Sequence, residues 1–424
     1  MKNSRPIEAH LDSLPNGWRL AELREILHPE SNRARDVPGA AQFPVLSLTK
    51  DRGLIAQSDR FDYRVARADV SDYKVVRSDW IVYNPYVIWE GAIHGLVKFE
   101  AGLVSPVYMV WRVVGADPRF VRTMLRSQTF LSEYSRLSSG VVRRRRSIRP
   151  DAFLGISIPL PPVDQQQAIG DVLSGFDLAI ASTAHVCESV YALKDSLREH
   201  LLMAGAIGTS KSAPSLAPRR KVSLRELLRE PLRNGHSARE SLNGHGIRTL
   251  TLTAATRNDF SETNTKLTEA DSSRVRDLWL EPGDVFVERA NTRELVGLAA
   301  LYEGPPGYAI FPDLLVRVRV DGAQATPRYV REALMSSPVR SYFQRSARGT
   351  AGNMPKIGHS VIESVELNVP PVEEQRLIGD VLEAVDEKAR AEMSQREALV
   401  RLRDSIVASF LSGELFGAAR RTGG

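Results

Sequence analysis

The chain has 424 residues, 42% of them hydrophobic and 25% charged, which is enough for two to four domains with sizeable cores. The formal net charge of +6 favours a polyanionic partner only weakly over this length. One cysteine, Cys187, excludes an intrachain disulfide; no early apolar stretch resembles a signal peptide and no run approaches the ~20 residues of a membrane span, so a cytoplasmic protein is expected.

In chain order, a short helical segment is predicted at Leu20–Leu27, followed by β-rich runs at Phe43–Thr49, Trp80–Tyr83 and Val104–Val113, separated by Gly, Pro and Asp. A second short helix is expected at Pro118–Ser127. After Ser138-Ser139-Gly140 comes a basic run, Arg143, Arg144, Arg145 and Arg146, with Arg149. Pro161-Pro162 then marks the start of a long amphipathic helix over 164–204, with Asp164 as its expected N-cap. Its apolar residues recur at three- to four-residue spacing: Ile169, Leu173, Phe176, Ile180, Cys187, Val190, Leu197 and Leu201. Such a helix is about 60 Å long at about 1.5 Å per residue. A linker rich in Ser, Ala, Pro and basic residues follows at 210–220.

The second half runs the same course. A helical segment is expected at Ser223–Arg229, β runs at Val285–Val287 and Tyr308–Val320, and a helix at Pro327–Ser336. The segment Arg348-Gly349-Thr350-Ala351-Gly352-Asn353-Met354-Pro355-Lys356 occupies the place of the arginine run. A second long helix is predicted over 373–411, with Ile378, Leu382, Val385, Ala389, Leu399, Leu402, Ile406 and Phe410 as its stripe.

The correspondence is a true internal repeat. Pro161-Pro162-Val163-Asp164-Gln165-Gln166-Gln167-Ala168-Ile169-Gly170-Asp171-Val172-Leu173 matches Pro370 through Leu382 at a constant offset of 209. Asp177 pairs with Asp386, Asp195 with Asp404, and Pro118–Arg122 with Pro327–Arg331 at the same offset. Upstream the match loosens: Leu23–Leu27 resembles Leu224–Leu228 at 201, and Leu46–Thr49 resembles Leu250–Thr253 at 204. Each half is a variable region followed by a closely repeated one. A shared scaffold carrying two different readers explains this uneven divergence better than duplication for stability alone. The two long helices, each with one apolar stripe, are expected to pair antiparallel.

The motifs argue against a catalytic site. Asn84-Pro85-Tyr86 resembles the Asn-Pro-Pro-Tyr loop of DNA amino-methyltransferases but lacks the second proline, and Glu288-Arg289-Ala290 stands at the equivalent place; a strand end and turn is the expected structure. There is no Glu-x-Lys triplet and no Walker-type loop. His236 and His245 lie in a Gly/Asn-rich loop without companions at metal spacing, so no metal site is expected. The basic segments remain. Arg and Lys neutralise phosphates, glycines permit close approach, and arginine can read guanine bidentately. Arg143–Arg146, Arg149, Arg348, Gly349, Thr350, Asn353 and Lys356 are the candidate DNA-binding residues.

The doubled Pro-Pro-Val-x-x-Gln-x-x-Ile-Gly-Asp-Val-Leu block, each copy opening a long helix, resembles the conserved repeats of type I restriction-modification specificity subunits. So do Pro15-Asn16-Gly17-Trp18-Arg19-Leu20, Gly283-Asp284-Val285 and the Gly349–Ile357 segment. Gln165 departs from the acidic residue common there, which Glu374 supplies in the second copy.

This resemblance implies an α+β protein with two tandem target-recognition domains, at 1–160 and 221–368. Conserved helices at 161–209 and 369–417, the linker at 210–220 and a tail at 418–424 complete it, with an approximate twofold repeat. Each domain would read half of a split double-stranded DNA target. Ile169, Leu173, Phe176, Ile180, Leu197, Leu201, Ile378, Leu382, Val385, Leu402, Ile406 and Phe410 would form the helix pair and the docking surface for partners. The implied partners are two modification subunits binding S-adenosylmethionine, and motor-nuclease subunits using ATP and Mg2+ for restriction. They would carry all catalysis, including flipping of the target adenine, and this chain would bind no cofactor. The competing readings are a self-contained DNA methyltransferase or nuclease, and a coiled-coil assembly protein that binds no DNA.

Overall fold

A computed structural model describes Leu14 and residues 17–50, 52–59, 69–139, 146–204, 219–349 and 354–412. Most of the expected linker and all of the expected tail lie outside these residues. The chain divides into two compact units, one drawn from 1–186 and 392–424, the other from 187–391, so the division falls inside both long helices.

In the first unit the order is β1 (Arg19–Glu22), α1 (Leu23–Ile26), β2 (Leu27–Pro29), β3 (Leu46–Leu48), β4 (Leu54–Ala56), β5 (Lys74–Arg77), β6 (Ile81–Tyr83), β7 (Ile93–Gly95), β8 (Ala101–Val104) and β9 (Met109–Val113). The helices α2 (Pro118–Leu125), α3 (Gln128–Leu137) and α4 (Pro150–Leu154), strand β10 (Ser157–Leu160) and the long helix α5 (Val163–Ala204) follow. The central antiparallel sheet has strand order β2-β9-β6-β7, flanked by the pairs β3–β4 and β5–β8. Strands β1 and β10 pair antiparallel, bringing the start and finish of the variable region together.

The second unit, after the last part of α5, runs β11 (Arg220–Ser223), β12 (Arg233–Asn234), β13 (Ile247–Leu250), α6 (Leu252–Thr256), β14 (Thr265–Thr268), α7 (Ser272–Val275), β15 (Val285–Glu288), β16 (Ala299–Leu301) and β17 (Leu315–Val318). Then come α8 (Pro327–Leu334), α9 (Ser337–Ser346), α10 (His359–Glu363), β18 (Glu366–Val369) and the long helix α11 (Val372–Ser412). Its sheet order, β12-β17-β15-β16, repeats the first unit's plan, and β11 pairs with β18 as β1 does with β10.

Each core is built around a sheet face and its helices. In the first unit Tyr83, Trp111, Tyr134 and Phe153 cluster, with Tyr83 and Phe153 ring centroids 4.6 Å apart, and Ile169, Leu173, Val407 and Leu411 join the same core. In the second, Val285, Val316, Tyr329 and Phe343 pack with Leu201, Leu202, Ile378 and Leu382.

The repeated motif has a specific job in each unit. Buried Gln166 donates to the Pro161 carbonyl at 2.7 Å and accepts from the Asp117 backbone at 2.9 Å; Gln375 donates to Pro370 and accepts from Thr326, each at 2.8 Å. Asp117 and Thr326 are the N-caps of α2 and α8, each followed by proline in the first turn. The motif glycine lets these helix starts approach: a Cβ on Gly170 would lie 2.9 Å from Asp117 Oδ1, and one on Gly379 would lie 3.2 Å from Arg328 Cβ. The aspartate beside it pairs with an arginine in both copies, Asp171 with Arg119 and Asp380 with Arg328. Even the departure at Gln165 is matched. Its Oε1 accepts from the Trp18 indole at 2.9 Å, whereas Glu374 takes the Arg219 guanidinium at 2.5 Å.

Charges pair where the helices meet the rest of each unit. Arg403 donates to Asp177 at 3.0 Å in the first unit. In the second, Lys194 contacts Asp386 and lies 3.0 Å from Glu332, which also takes Arg198 at 2.7 Å and contacts Arg331.

Several expectations need correction. Leu20–Leu27 is a strand, one helical turn and a second strand, and Ser223–Arg229 holds only a 3-10 turn at Leu224–Leu227, because extended β1 and β11 must pair with β10 and β18. The Val104–Val113 run is two strands broken at Ser105-Pro106, and Tyr308–Val320 is strand only over Leu315–Val318. Asp164 sits inside the first helical turn rather than capping it, since α5 starts at Val163. Along the stripes Ile169, Leu173, Leu201, Ile378 and Leu382 are buried, while Phe176, Ile180, Leu197, Val385, Ile406 and Phe410 are half-buried. Leu402 is 52% exposed; buried Val407 and Leu411 take the inward positions instead.

Candidate nucleic-acid interface

The antiparallel order of each four-stranded sheet brings the finish of two strands and the start of a third to one end. In the second unit these are Asn234 of β12, Glu288 of β15 and Leu315 of β17. Their loops are tied together: His236 N donates to Phe311 O and Arg289 N to Leu314 O, both at 2.9 Å, and Ser237 Oγ contacts Asp313. Against this end lies an antiparallel bridge between α9 and α10. Arg348 and Lys356 exchange both backbone hydrogen bonds, at 2.9 and 3.0 Å. This segment joins the sheet end through an Ala290–Lys356 bridge, Ile357 N donating to Arg289 O at 2.8 Å, and a His359–Asn234 side-chain contact at 2.9 Å. Arg348, Gly349 and Lys356 are exposed, and neither cation makes an ion pair among the described residues.

The first unit repeats the construction. Ser139 and Ser147 exchange backbone hydrogen bonds at 3.1 Å, and these positions are 209 residues before Arg348 and Lys356. Ile148 N donates to Pro85 O at 3.2 Å, the counterpart of Ile357 on Arg289. Asn84-Pro85-Tyr86 is therefore a strand end and turn, with Asn84 Oδ1 accepting from Tyr86 N at 3.1 Å. Arg146 has a local role: its guanidinium lies 4.8 Å from the Trp89 ring centroid and donates to Ser135 Oγ at 3.0 Å. Arg149 is exposed at the start of α4. Arg143, Arg144, Arg145, Thr350 and Asn353 lie outside the described residues.

Sequence reasoning missed Trp89, Arg289, Asn291 and Glu288 as parts of this surface. Glu288 is fully buried at the end of β15, with Oε1 2.5 Å from Thr256 Oγ1 and Oε2 accepting from Asn291 Nδ2 at 2.6 Å. Burial raises its pKa above the ordinary glutamate value, against the Thr256 and Asn291 contacts that lower it. The signal available in sequence was only that Glu288-Arg289-Ala290 falls where Asn84-Pro85-Tyr86 does. Exposed cations such as Arg348 and Lys356 have the chemistry to contact phosphates beside these sheet-end loops.

Among the described residues no group of three or more His, Cys, Asp or Glu side chains is placed to hold a metal ion. Among them, too, no helix is long and apolar enough to cross a membrane.

No family model matches the chain. It is 26% identical over 308 residues to the type I restriction enzyme EcoKI specificity subunit of Escherichia coli strain K12, a match spanning 70% of this chain and 65% of that protein. It is 27% identical over 313 residues to the StySPI specificity subunit of Salmonella potsdam, covering 70% and 66%. The matches thus span just under two thirds of these relatives' lengths. The crystal structure of a type I restriction-modification S subunit from M. genitalium shares the fold, with a TM-score of 0.53, 13% identity and coverage of 94% of this chain and 97% of that one. By these sequence relationships the chain is similar to the specificity subunits of type I restriction-modification systems.

Proposed function

We propose that this chain is the DNA sequence-recognition subunit of a type I restriction-modification complex, each unit reading one half of a bipartite target. The observation that carries the reading is a duplicated antiparallel bridge at the end of a duplicated sheet, Ser139–Ser147 on Pro85 in one unit and Arg348–Lys356 on Arg289 in the other. The scaffold is repeated while the loops differ, as two half-sites of different sequence require. Phosphate contacts from exposed cations such as Arg348 and Lys356 would set register, and loop side chains would read base edges.

The long helices serve as spacer and docking surface in this reading, running as an antiparallel pair. Contacts inside the first unit support that direction: Asp177 pairs with Arg403, while Ile169 and Leu173, earlier on α5, share a core with Val407 and Leu411, later on α11. Docking is supported by exposed leucines on these helices, including the repeat-related Leu193 and Leu402 at 53% and 52% exposure. Two modification subunits carrying S-adenosylmethionine would dock there, and motor-nuclease subunits using ATP and Mg2+ would join for cleavage. Catalysis then belongs to those partners and none to this chain.

Methylation sequencing of DNA from cells co-expressing this chain and its modification partner, against cells lacking the chain, tests the reading. The expected result is methyl-adenine in one split motif that disappears without the chain. No chain-dependent motif, with the complex shown to be present, overturns it.

A further inference from the structure

The buried acid at the second unit's reading surface raises a question of proton accounting. Thr256 Oγ1 lies 3.1 Å from the Leu252 carbonyl and 2.5 Å from Glu288 Oε1. A hydroxyl has one proton to give, and a carbonyl can only accept. If Thr256 donates to Leu252, the proton in the Thr256–Glu288 contact must come from the carboxyl group. Glu288 is also without solvent contact, and among the described residues no ion pair with a cation compensates it. Arg340 of α9 is the charged group that acts on it, but its guanidinium is committed to the carbonyls of Val296 and Glu294 at 2.8 and 2.7 Å. Its neighbours in the sheet, Leu298 and Leu315, are apolar. An unpaired buried carboxylate is costly, so the group keeps its proton.

The same side chain ties down the surface. Glu288 Oε2 holds Asn291, whose backbone N–H reaches Pro355 beside the bridge at 3.4 Å, and Arg289 and Ala290 between them carry the Ile357 and Lys356 contacts. Asn84 occupies the matching place in the first unit, and an amide does not titrate.

We infer that Glu288 is held as a neutral carboxylic acid, a positioning residue that fixes the Arg289–Asn291 loop against the Arg348–Lys356 bridge, and that reading by the second unit weakens as this proton is lost while reading by the first unit does not. The DNA part rests on the function proposed above. The sign follows from the acid: its proton is present at low pH and leaves as pH rises through its elevated pKa.

Two measurements test this. Infrared spectra of the full chain at neutral pH should contain the carbonyl band of a protonated carboxyl group, absent from Glu288→Gln; a wild-type spectrum without a band lost in that variant overturns the neutral state. In the complex with the modification partner, binding is then measured on duplexes altered singly in one or the other half of the motif. Discrimination in the second half should fall on the order of tenfold as pH rises, the size of one lost base contact, and stay flat in Glu288→Gln. First-half discrimination should be flat in both proteins. Equal pH dependence in the two halves, or its persistence in Glu288→Gln, overturns the positioning role. Absence of any chain-dependent motif would instead refute the proposed function, and the infrared result would still decide the protonation state.

Discussion

Replacing Glu332 with glutamine removes the carboxylate that Lys194, Arg198 and Arg331 of the second unit share. Lys194 is 3% exposed and Arg198 6%, and Glu332 itself is 5% exposed. Burial alone would raise its pKa, but Arg331, Lys194 and Arg198 outweigh it and hold the group at about 2, down from 4.5. At about 1.4 kcal/mol per unit this corresponds to about 3 kcal/mol of stability at neutral pH. The variant also leaves the cations facing Asp386 and the exposed Asp195, and breaking a buried ion cluster from one side costs about 3–5 kcal/mol. Two units make a single melting temperature ambiguous, so amide hydrogen exchange in α8 and in residues 372–391 of α11 is the better assay. Glu332→Gln should lower protection there by about 3 kcal/mol, and adding Lys194→Met should recover part of the loss. Because the folded pKa is depressed, the contribution is present above the usual glutamate range and is lost as pH falls toward about 2. The acid limb should therefore flatten in the variant. A loss under about 1 kcal/mol, or an unchanged acid limb, would refute the view that this cluster holds α8 to the long helices.

Gln375→Ala should cost about 1–3 kcal/mol in the second unit by orphaning the Thr326 N–H and the Pro370 carbonyl, and Gln166→Ala should do the same in the first, read by local exchange in α8 and α2. Gly170→Ala should destabilise the first unit by about 1–3 kcal/mol through the close approach of Asp117, read by local exchange in α2. Lys356→Ala in the complex should weaken DNA binding similarly across sequences and reduce the slope of log affinity against log salt by about one.

The long helices were legible because forty residues of apolar spacing admit no other structure, and the α2 and α8 starts because an N-cap and a proline stand together at Asp117-Pro118 and Thr326-Pro327. The strand order was not legible. Runs such as Val104–Val113 are apolar throughout, and only Ser105-Pro106 hints where a strand stops; which strands become neighbours depends on contacts far apart in sequence. The buried ion clusters were missed for a related reason. Lys194 and Arg403 look like ordinary charges on a solvated helix face, yet they are a repeat-related pair, each opposite an aspartate, Asp386 or Asp177, that is also repeat-related. Of the candidate DNA ligands, Arg348, Gly349 and Lys356 lie exposed at one antiparallel bridge, whereas Arg146 is drawn into a cation–aromatic contact no spacing rule anticipates.

The pairing of β1 with β10, and of β11 with β18, has a consequence for how such chains diversify. Arg19 stands across from Leu160 and Arg220 across from Val369, so each variable region leaves and rejoins its scaffold at a single doorway. A segment spliced between those strands keeps the same entry and exit, provided it also rebuilds the contacts that Asp117 and Thr326 make with Gln166 and Gln375 of the long helices. Recombination at the doorway can therefore exchange a whole cassette at once.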